Sequence, residues 1–232
     1  MSQMNDYEAF KIMRPLLKEH EYDKYKFPII KKDSFSEDDL LNLKVTNCTN
    51  AKRCKRKDET LVLAFHFDSE LDKLYNDPRK SYNLFKDFYA VATLDFSAYP
   101  NMNENDIRHN VYKNRWFGCF LQDYGIKVIP SITWSESIYY DICFSGVEEG
   151  SVVCISTLGC HNDKAKPLFL EGFNEMKRVI KPSLIIVFGG KLVEGMTGRF
   201  IVFDYSDTFI YGAKSYEKIS LFDRNQIIEV RD

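Results

Sequence analysis

Two acidic residues end two consecutive apolar runs, and their type and position make them the first candidates for chemistry. Asp68 follows LVLAFHF at 61–67, and Asp95 follows YAVATL at 89–94. Because α/β proteins present their sites at the carboxyl ends of strands, we expect both carboxylates at one edge of a sheet. Such a pair can bind a divalent metal ion or share acid–base work. The alternative is that each caps a following helix or turn, and only Asp68 precedes a helical pattern.

His66 and Arg115 are the candidates to act with these acids. His66 lies two residues before Asp68, so a strand of period two places both side chains on one face. The pair predicts a metal ligand or a general base, whereas the structural alternative is a simply hydrogen-bonded histidine. Arg115 lies within an aromatic helical segment and needs a partner if it is buried. It is expected either to pair with Asp95 or to bind a ligand phosphate or carboxylate.

Three more candidates follow later apolar runs. Trp134 is expected to stack on a sugar or base, or else to plug the core. Ser156 can donate a hydrogen bond to a ligand, but it lacks the GxSxG context of a hydrolase nucleophile. Lys191 lies in the glycine-rich stretch 188–199, where backbone amides and the ammonium group would hold a phosphate. This stretch lacks the Walker A pattern, and a turn is the structural alternative.

The charge balance excludes a general attraction to nucleic acid or to an anionic membrane, because the 232 residues carry a formal net charge of −2. One local exception is the polar segment 46–60, which is predicted to be an exposed loop. Its cations span Lys52–Lys57: Lys52, Arg53, Lys55, Arg56 and Lys57. This basic loop is expected to contact a host protein, a phosphate or a nucleic acid, with a merely solvated loop as the alternative.

The six cysteines and the amino terminus point to a cytoplasmic protein with reduced thiols. The segment MSQMNDYEAF has no apolar signal core, and no apolar run approaches the ~20 residues of a membrane helix. Cysteines inside apolar runs usually behave as small core residues. Neither the pair Cys48 and Cys54 nor the pair Cys160 and His161 has the spacing that zinc motifs favour.

The regular spacing of the apolar runs predicts the fold class. Runs begin at residues 61, 89, 127, 151 and 183, with helical patterns between them. These βα units predict a mostly parallel sheet, either barrel-like or a partial barrel, with an open doubly wound sheet as the alternative.

The remaining segments complete a single predicted α/β domain over residues 1–232. FPII at 27–30 is expected to supply a first strand after a helical arm at 1–26. The segment 103–124 is predicted to be one long helix that stops at Gly125. Residues 199–232 are expected to add a β extension, with an antiparallel hairpin formed by 199–205 and 208–213.

Five motifs occur in a characteristic order: TLDFSAYPNM, YKNRWFGCFLQDYGIKVIPSITWS, SVVCISTLGC, FLEGFNEM and IIVFGG. In this the chain resembles a bacterial family known as a domain of unknown function, which is common in phages and mobile elements of Gram-positive bacteria. The resemblance covers roughly residues 60–190. It implies a shared fold and a mobile-element context, but it implies no activity and no catalytic residues.

Two functions remain open at this point. The first is a hydrolase of phosphorylated or nucleotide-type ligands, with the acids as metal or acid–base groups, Arg115 and Lys191 as anion contacts, and Trp134 as a stacking platform. The second is a binding protein without catalysis that acts on a host protein or a nucleic acid, for example as a defence inhibitor. A glycoside hydrolase with paired carboxylates is a third, weaker alternative.

Overall fold

Helices and strands alternate along most of the chain in the computed structural model, which describes residues 6–208 and 225–231. The helices are α1 (Asp6–Met13), α2 (Glu37–Asn42), α3 (Asp68–Asn76), α4 (Pro78–Phe85), α5 (Glu104–Asp123), α6 (Tyr140–Cys143) and α7 (Ala165–Ile180). The strands are β1 (Lys44–Asn47), β2 (Thr60–Leu63), β3 (Ala90–Ala92), β4 (Val128–Ile129), β5 (Val152–Ser156), β6 (Leu184–Phe188), β7 (Gly198–Phe203) and β8 (Ile228–Val230). Within these ranges, no helix has the length and apolarity needed to cross a bilayer.

The strands form two sheets whose order follows the chain. In the first sheet β1, β2, β3 and β4 are all parallel, and in the second β5, β6 and β7 are parallel while β8 runs antiparallel to β7. A parallel bridge between Ser131 and Cys154 joins the sheets, and the Cys154 N–H donates to Pro130 O at 2.8 Å. The predicted class, a mixed α/β fold of mostly parallel strands that ends in an antiparallel pair, is confirmed, and the described strands form no closed barrel.

One face of both sheets surrounds a common interior. A single buried cluster takes residues from six strands: Leu61, Leu63, Ala90, Ala92, Ile129, Val152, Cys154, Leu184, Ile186, Phe188, Ile201 and Phe203. The opposite faces pack against the helices in two further clusters. Strands covered on both faces must be apolar throughout, which explains why their sequences lack a polar–apolar alternation.

Helix α5 is the central element of the helical layer and has the predicted ends. The Asn103 side chain caps it by accepting from the Asn105 N–H at 2.9 Å, and Gly125 follows it with φ +78°. The N-terminal segment covers its outer face. There the Trp116 indole N–H donates to Arg14 O at 2.7 Å, and the His20 ring lies 2.8 Å from Asp123 Oδ1. The helix is therefore covered by protein on both sides.

Two strand predictions were wrong. FPII at 27–30 forms only isolated bridges. The first strand is instead β1, whose last two residues overlap the segment 46–60 that was predicted to be a loop. The rest of that segment forms two 3-10 helices, Cys48–Arg53 and Lys57–Glu59. The strand predicted at 61–68 ends at Leu63, because the chain then turns into α3.

The predicted hairpin of 199–205 with 208–213 is tested only in its first strand, which matches β7. Residues Tyr205–Thr208 form a 3-10 helix, and residues 209–213 lie outside the described part of the chain. The antiparallel neighbour of β7 is β8, with Phe200 opposite Ile228.

Gly172 provides a test of how α7 packs on the sheet layer. A Cβ at Gly172 would overlap the indole of Trp134, which packs against Phe169 on the same helix. We expect Gly172→Ala to lower the free energy of unfolding by about 1–3 kcal/mol, because overpacking outweighs the better helix propensity of alanine. Asn174→Ala, on the exposed face of α7, is the control and should be neutral or stabilising in urea denaturation. Stabilisation by Gly172→Ala would contradict this packing.

Candidate active site

Asp95 is the acid with the most unusual surroundings. The residue is partly accessible to solvent, but its Oδ1 is buried and has no hydrogen-bond partner among the described residues. Burial raises the pKa of this carboxyl from 3.8 to about 7, and the neighbouring charge of Asp68 contributes in the same direction. The charge of Asp95 also raises the pKa of the Cys154 thiol, which belongs to the interior cluster. Asp95 follows β3, so it lies beside the carboxyl ends of the parallel strands, an edge that we call the mouth.

Asp68 connects two strand ends. It is the first residue of α3, and its Oδ1 accepts from the backbone N–H of Ser97 at 3.1 Å and from the Ser97 hydroxyl at 2.9 Å. It makes no N-cap bond within its own helix, whose N-cap residue is Phe67. The carboxylate thus holds the segment after β3 beside α3 and places a negative charge near Asp95.

His66 does not share a strand face with Asp68. Both residues follow the end of β2, so the alternation that paired them does not extend to them. The His66 Nδ1 accepts from the Phe67 N–H at 2.9 Å, and its ring lies edge-on to the Phe67 ring with centroids 5.4 Å apart. Its Nε2 is the nitrogen left to hydrogen-bond a ligand.

Arg115 does not pair with Asp95, contrary to the structural alternative drawn from the sequence. Its guanidinium is 2% exposed and donates to Ser145 O at 2.7 Å, to Cys143 O at 2.7 Å and to Asn114 Oδ1 at 2.6 Å. Burial lowers its pKa to about 10, so it stays protonated at neutral pH. The arginine therefore holds the end of α6, and a ligand would reach it only by displacing these contacts.

Sequence reasoning missed Asn114, the neighbour of Arg115. Its amide donates to Leu94 O at 2.8 Å and to Ser131 O at 3.1 Å, so it binds the chain just beyond β3 and β4. A small cavity of about 10 Å³ borders Asn114 and Arg115 and has room for about one water molecule. The only signal available in the sequence was an asparagine at an otherwise apolar position of a helix.

The other predicted site residues are spread along the same end of the sheets. Trp134 packs on Phe144 and Phe169, with centroids 6.0 and 5.1 Å away, so most of its ring serves the core. The Ser156 hydroxyl accepts from the Leu158 N–H at 3.2 Å and remains partly accessible. Lys191 is exposed after β6, and its positive charge contributes to the lowered pKa of His161.

The glycine-rich stretch does not offer free amides at its start. The N–H groups of Gly189 and Gly190 both donate to Phe203 O at 3.0 Å. At the end of β7, Asp204 accepts from the Ser206 N–H and hydroxyl at 2.8 and 2.7 Å, which is a turn interaction. Phosphate binding at this edge would therefore depend on side chains, of which Lys191 is the cation.

In the described ranges, Asp68 and Asp95 included, no cluster of three or more histidine, cysteine, aspartate or glutamate side chains is suited to hold a metal ion. All six cysteines are free, and burial raises the pKa of Cys48 and of Cys119 to about 12. Cys48 and Cys119 therefore belong to the core.

The buried Arg115 can be tested by stability. Arg115→Met would leave two backbone carbonyls and the Asn114 side-chain oxygen without donors. We expect it to lower the free energy of unfolding by about 3 kcal/mol, because buried acceptors without donors are costly. Arg108→Met on the same helix removes a more exposed ion pair with Glu104 and should cost less than about 1 kcal/mol. Equal losses in guanidinium denaturation would contradict the assignment.

The raised pKa of Asp95 predicts an inverted pH dependence of stability. The unfolded chain ionises this group near 3.8, whereas the folded chain does so at about 7, so the folded state binds more protons between these values. Stability from this group is therefore complete below 3.8 and declines as pH rises to 7. We expect Asp95→Asn to match the wild type at pH 4 and to exceed it at pH 8 by up to about 4 kcal/mol.

The measurement is urea denaturation of both proteins at intervals from pH 4 to pH 8. In an Asp68→Asn background the rise should occur at lower pH, because a neighbouring negative charge has been removed. A difference between Asp95→Asn and wild type that stays constant with pH would contradict the prediction.

Comparison with known proteins places the chain in a family. Residues 21–206 match a family described as Domain of unknown function (DUF4417). The Gene 1 proteins of Mycobacterium phages L5 and D29 are 34% and 32% identical to the chain over 130 residues. These alignments cover 54% of this chain and 57% and 48% of the two relatives, so the chain spans about half the length of the curated relatives it matches. No solved structure matches the chain. The chain therefore belongs to the DUF4417 family, whose phage membership agrees with the resemblance that its motifs carry.

Proposed function

We propose that the protein is a hydrolase that uses Asp95 for acid–base catalysis on a phosphorylated or nucleotide-type ligand. The observation that carries the proposal is the Asp95 carboxyl, which is partly accessible yet has a buried oxygen without a donor. Carboxyl groups with strongly raised pKa values in clefts are typical of catalytic acids and bases. Its position at the carboxyl ends of parallel strands is also where α/β enzymes place their sites.

A pKa of about 7 suits both halves of a hydrolysis. In its ionised form, Asp95 would take a proton from a water molecule whose oxygen attacks the ligand. In its protonated form, it would return that proton to the leaving oxygen. The same group thereby supports bond formation and bond cleavage, with no net change in its own protonation.

Asp68 acts in this proposal as a positioning residue for the proton on Asp95. Its two bonds from Ser97 hold its charge beside the mouth, and that charge favours the protonated form of Asp95. Lys191, exposed after β6 at the same end of the sheets, is the cation proposed to contact the ligand phosphate. Ser156 and the free nitrogen of His66 are proposed to donate hydrogen bonds to it.

The test is hydrolysis of bis(p-nitrophenyl) phosphate, p-nitrophenyl phosphate and the common nucleoside phosphates, with and without Mg²⁺. On the substrate that the wild type hydrolyses, Asp95→Asn should lower kcat by at least about 100-fold, the usual contribution of general acid–base catalysis. Glu171→Gln, an exposed acid on α7, is the control and should leave kcat unchanged.

Asp68→Asn separates a role in catalysis from one in folding. Removal of its charge lowers the pKa of Asp95, so the pH–rate profile should move to lower pH while the fold is kept by the isosteric side chain. Full hydrolysis by Asp95→Asn would refute the proposal.

A binding role without catalysis is the second candidate. Lys52, Arg53 and Lys55 are exposed in the basic loop, where they are available to a nucleic acid or to an acidic surface of a host protein. In that case charge reversal in the loop would remove the biological effect, and Asp95→Asn would leave it intact.

A further inference from the structure

A second concave site lies on the outer side of the first sheet, away from Asp95. The 3-10 helix Cys48–Arg53 and helices α3 and α4 enclose a pocket of about 550 Å³. This volume is within the ~300–1,000 Å³ that small-molecule sites usually have. None of its lining residues is among those proposed to act in hydrolysis.

Four lysines line this pocket, although they are distant in sequence. Lys52 and Lys57 come from the basic loop, Lys73 from α3 and Lys80 from α4. The acidic residue in the lining is Glu70, so the pocket carries an excess of three positive charges in a chain whose net charge is −2.

Two of the lysines form no salt bridge among the described residues. They are Lys52 and Lys80, both exposed, although the charge of Lys80 contributes to lowering the pKa of Asp77. Lys73 is 2.6 Å from Glu70, and Lys57 is 3.9 Å from Asp87. Four ammonium groups against one carboxylate in the lining leave an excess of positive charge, which favours a polyanionic ligand.

The pocket also has an apolar part. Leu74 and Leu84 line it and are only partly buried, and the thiol of Cys48 lies beneath. A ligand that fits both halves has several negative charges at one end and a flat or apolar group at the other. Nucleotides have this combination.

We propose that this pocket binds a nucleotide, with its phosphates among the four lysines and its base and sugar against Leu74 and Leu84. A free nucleotide fits better than a nucleic-acid strand. The lining contains no aromatic ring for the successive base stacking that single-strand binding uses, and the site is a single concavity.

The test is isothermal titration calorimetry of the whole chain with ATP, with tripolyphosphate and with a 12-nucleotide oligo(dT). Lys52→Glu/Lys80→Glu should weaken ATP binding at least tenfold. The matched control is Lys55→Glu/Lys86→Glu, at two exposed positions outside the pocket. It makes the same charge change in the basic loop and at the residue that directly follows α4. It should change the dissociation constant less than twofold.

The apolar half is tested separately. Leu84→Ala should weaken ATP binding several-fold and leave tripolyphosphate binding unchanged, because only ATP has a base and sugar. Glu171→Gln, an exposed position on α7 outside both sites, should bind ATP as tightly as the wild type. Lys52→Gln/Lys80→Gln removes the two positive charges without reversing them. It should also weaken ATP binding, by less than Lys52→Glu/Lys80→Glu.

Several results would overturn the proposal. They are absence of ATP binding by the wild type, binding of oligo(dT) alone, or equal losses in both lysine double variants. These results would leave the hydrolysis proposal unaffected, because that proposal is tested by the rate of hydrolysis in Asp95→Asn.

Discussion

The buried pair Asn114–Arg115 is the interaction on which the arrangement of the strand ends depends. Where short strands such as β3 and β4 stop, their chain leaves carbonyl groups that water cannot reach. Asn114 binds the carbonyls of Leu94 and Ser131, and Arg115 binds Asn114 and the end of α6. Two adjacent residues of α5 thereby satisfy acceptors on three separate segments. A charge is tolerated there because each guanidinium nitrogen of Arg115 donates a hydrogen bond.

This use of Arg115 explains the state of Asp95. Asp95 follows Leu94, whose carbonyl Asn114 holds, so the backbone position of the acid is set by α5. The Arg115 guanidinium of the same helix donates instead to Ser145 O, Cys143 O and Asn114 Oδ1. The carboxyl is left with a buried oxygen, a neighbouring negative charge and no compensating donor, and each of these favours its protonated form. Had Arg115 paired with Asp95, the acid would be ionised and an ordinary structural residue.

The sequence predicted the elements whose signals are local. The caps of α5 at Asn103 and Gly125 depend on adjacent residues, and the apolar runs of β5 and β6 depend on burial on both faces. Prediction from the sequence failed where a contact between residues distant in sequence determines the structure. The polar strand β1 exists because it pairs with β2, and its own residues do not signal a strand. Likewise, an arginine that binds backbone carbonyls looks the same in sequence as one that binds an aspartate.

The four-lysine pocket is a second feature that depends on contacts between residues distant in sequence. The run Lys52–Lys57 is visible in the sequence, but Lys73 and Lys80 join it only because α4 begins directly after α3. There Asp77 caps α4 and Pro78 starts it, and α4 contacts both α3 and the 3-10 helix Cys48–Arg53. Bringing four ammonium groups around one concavity costs electrostatic free energy in the folded state. The proposed nucleotide would offset this repulsion by placing its phosphates among the lysines.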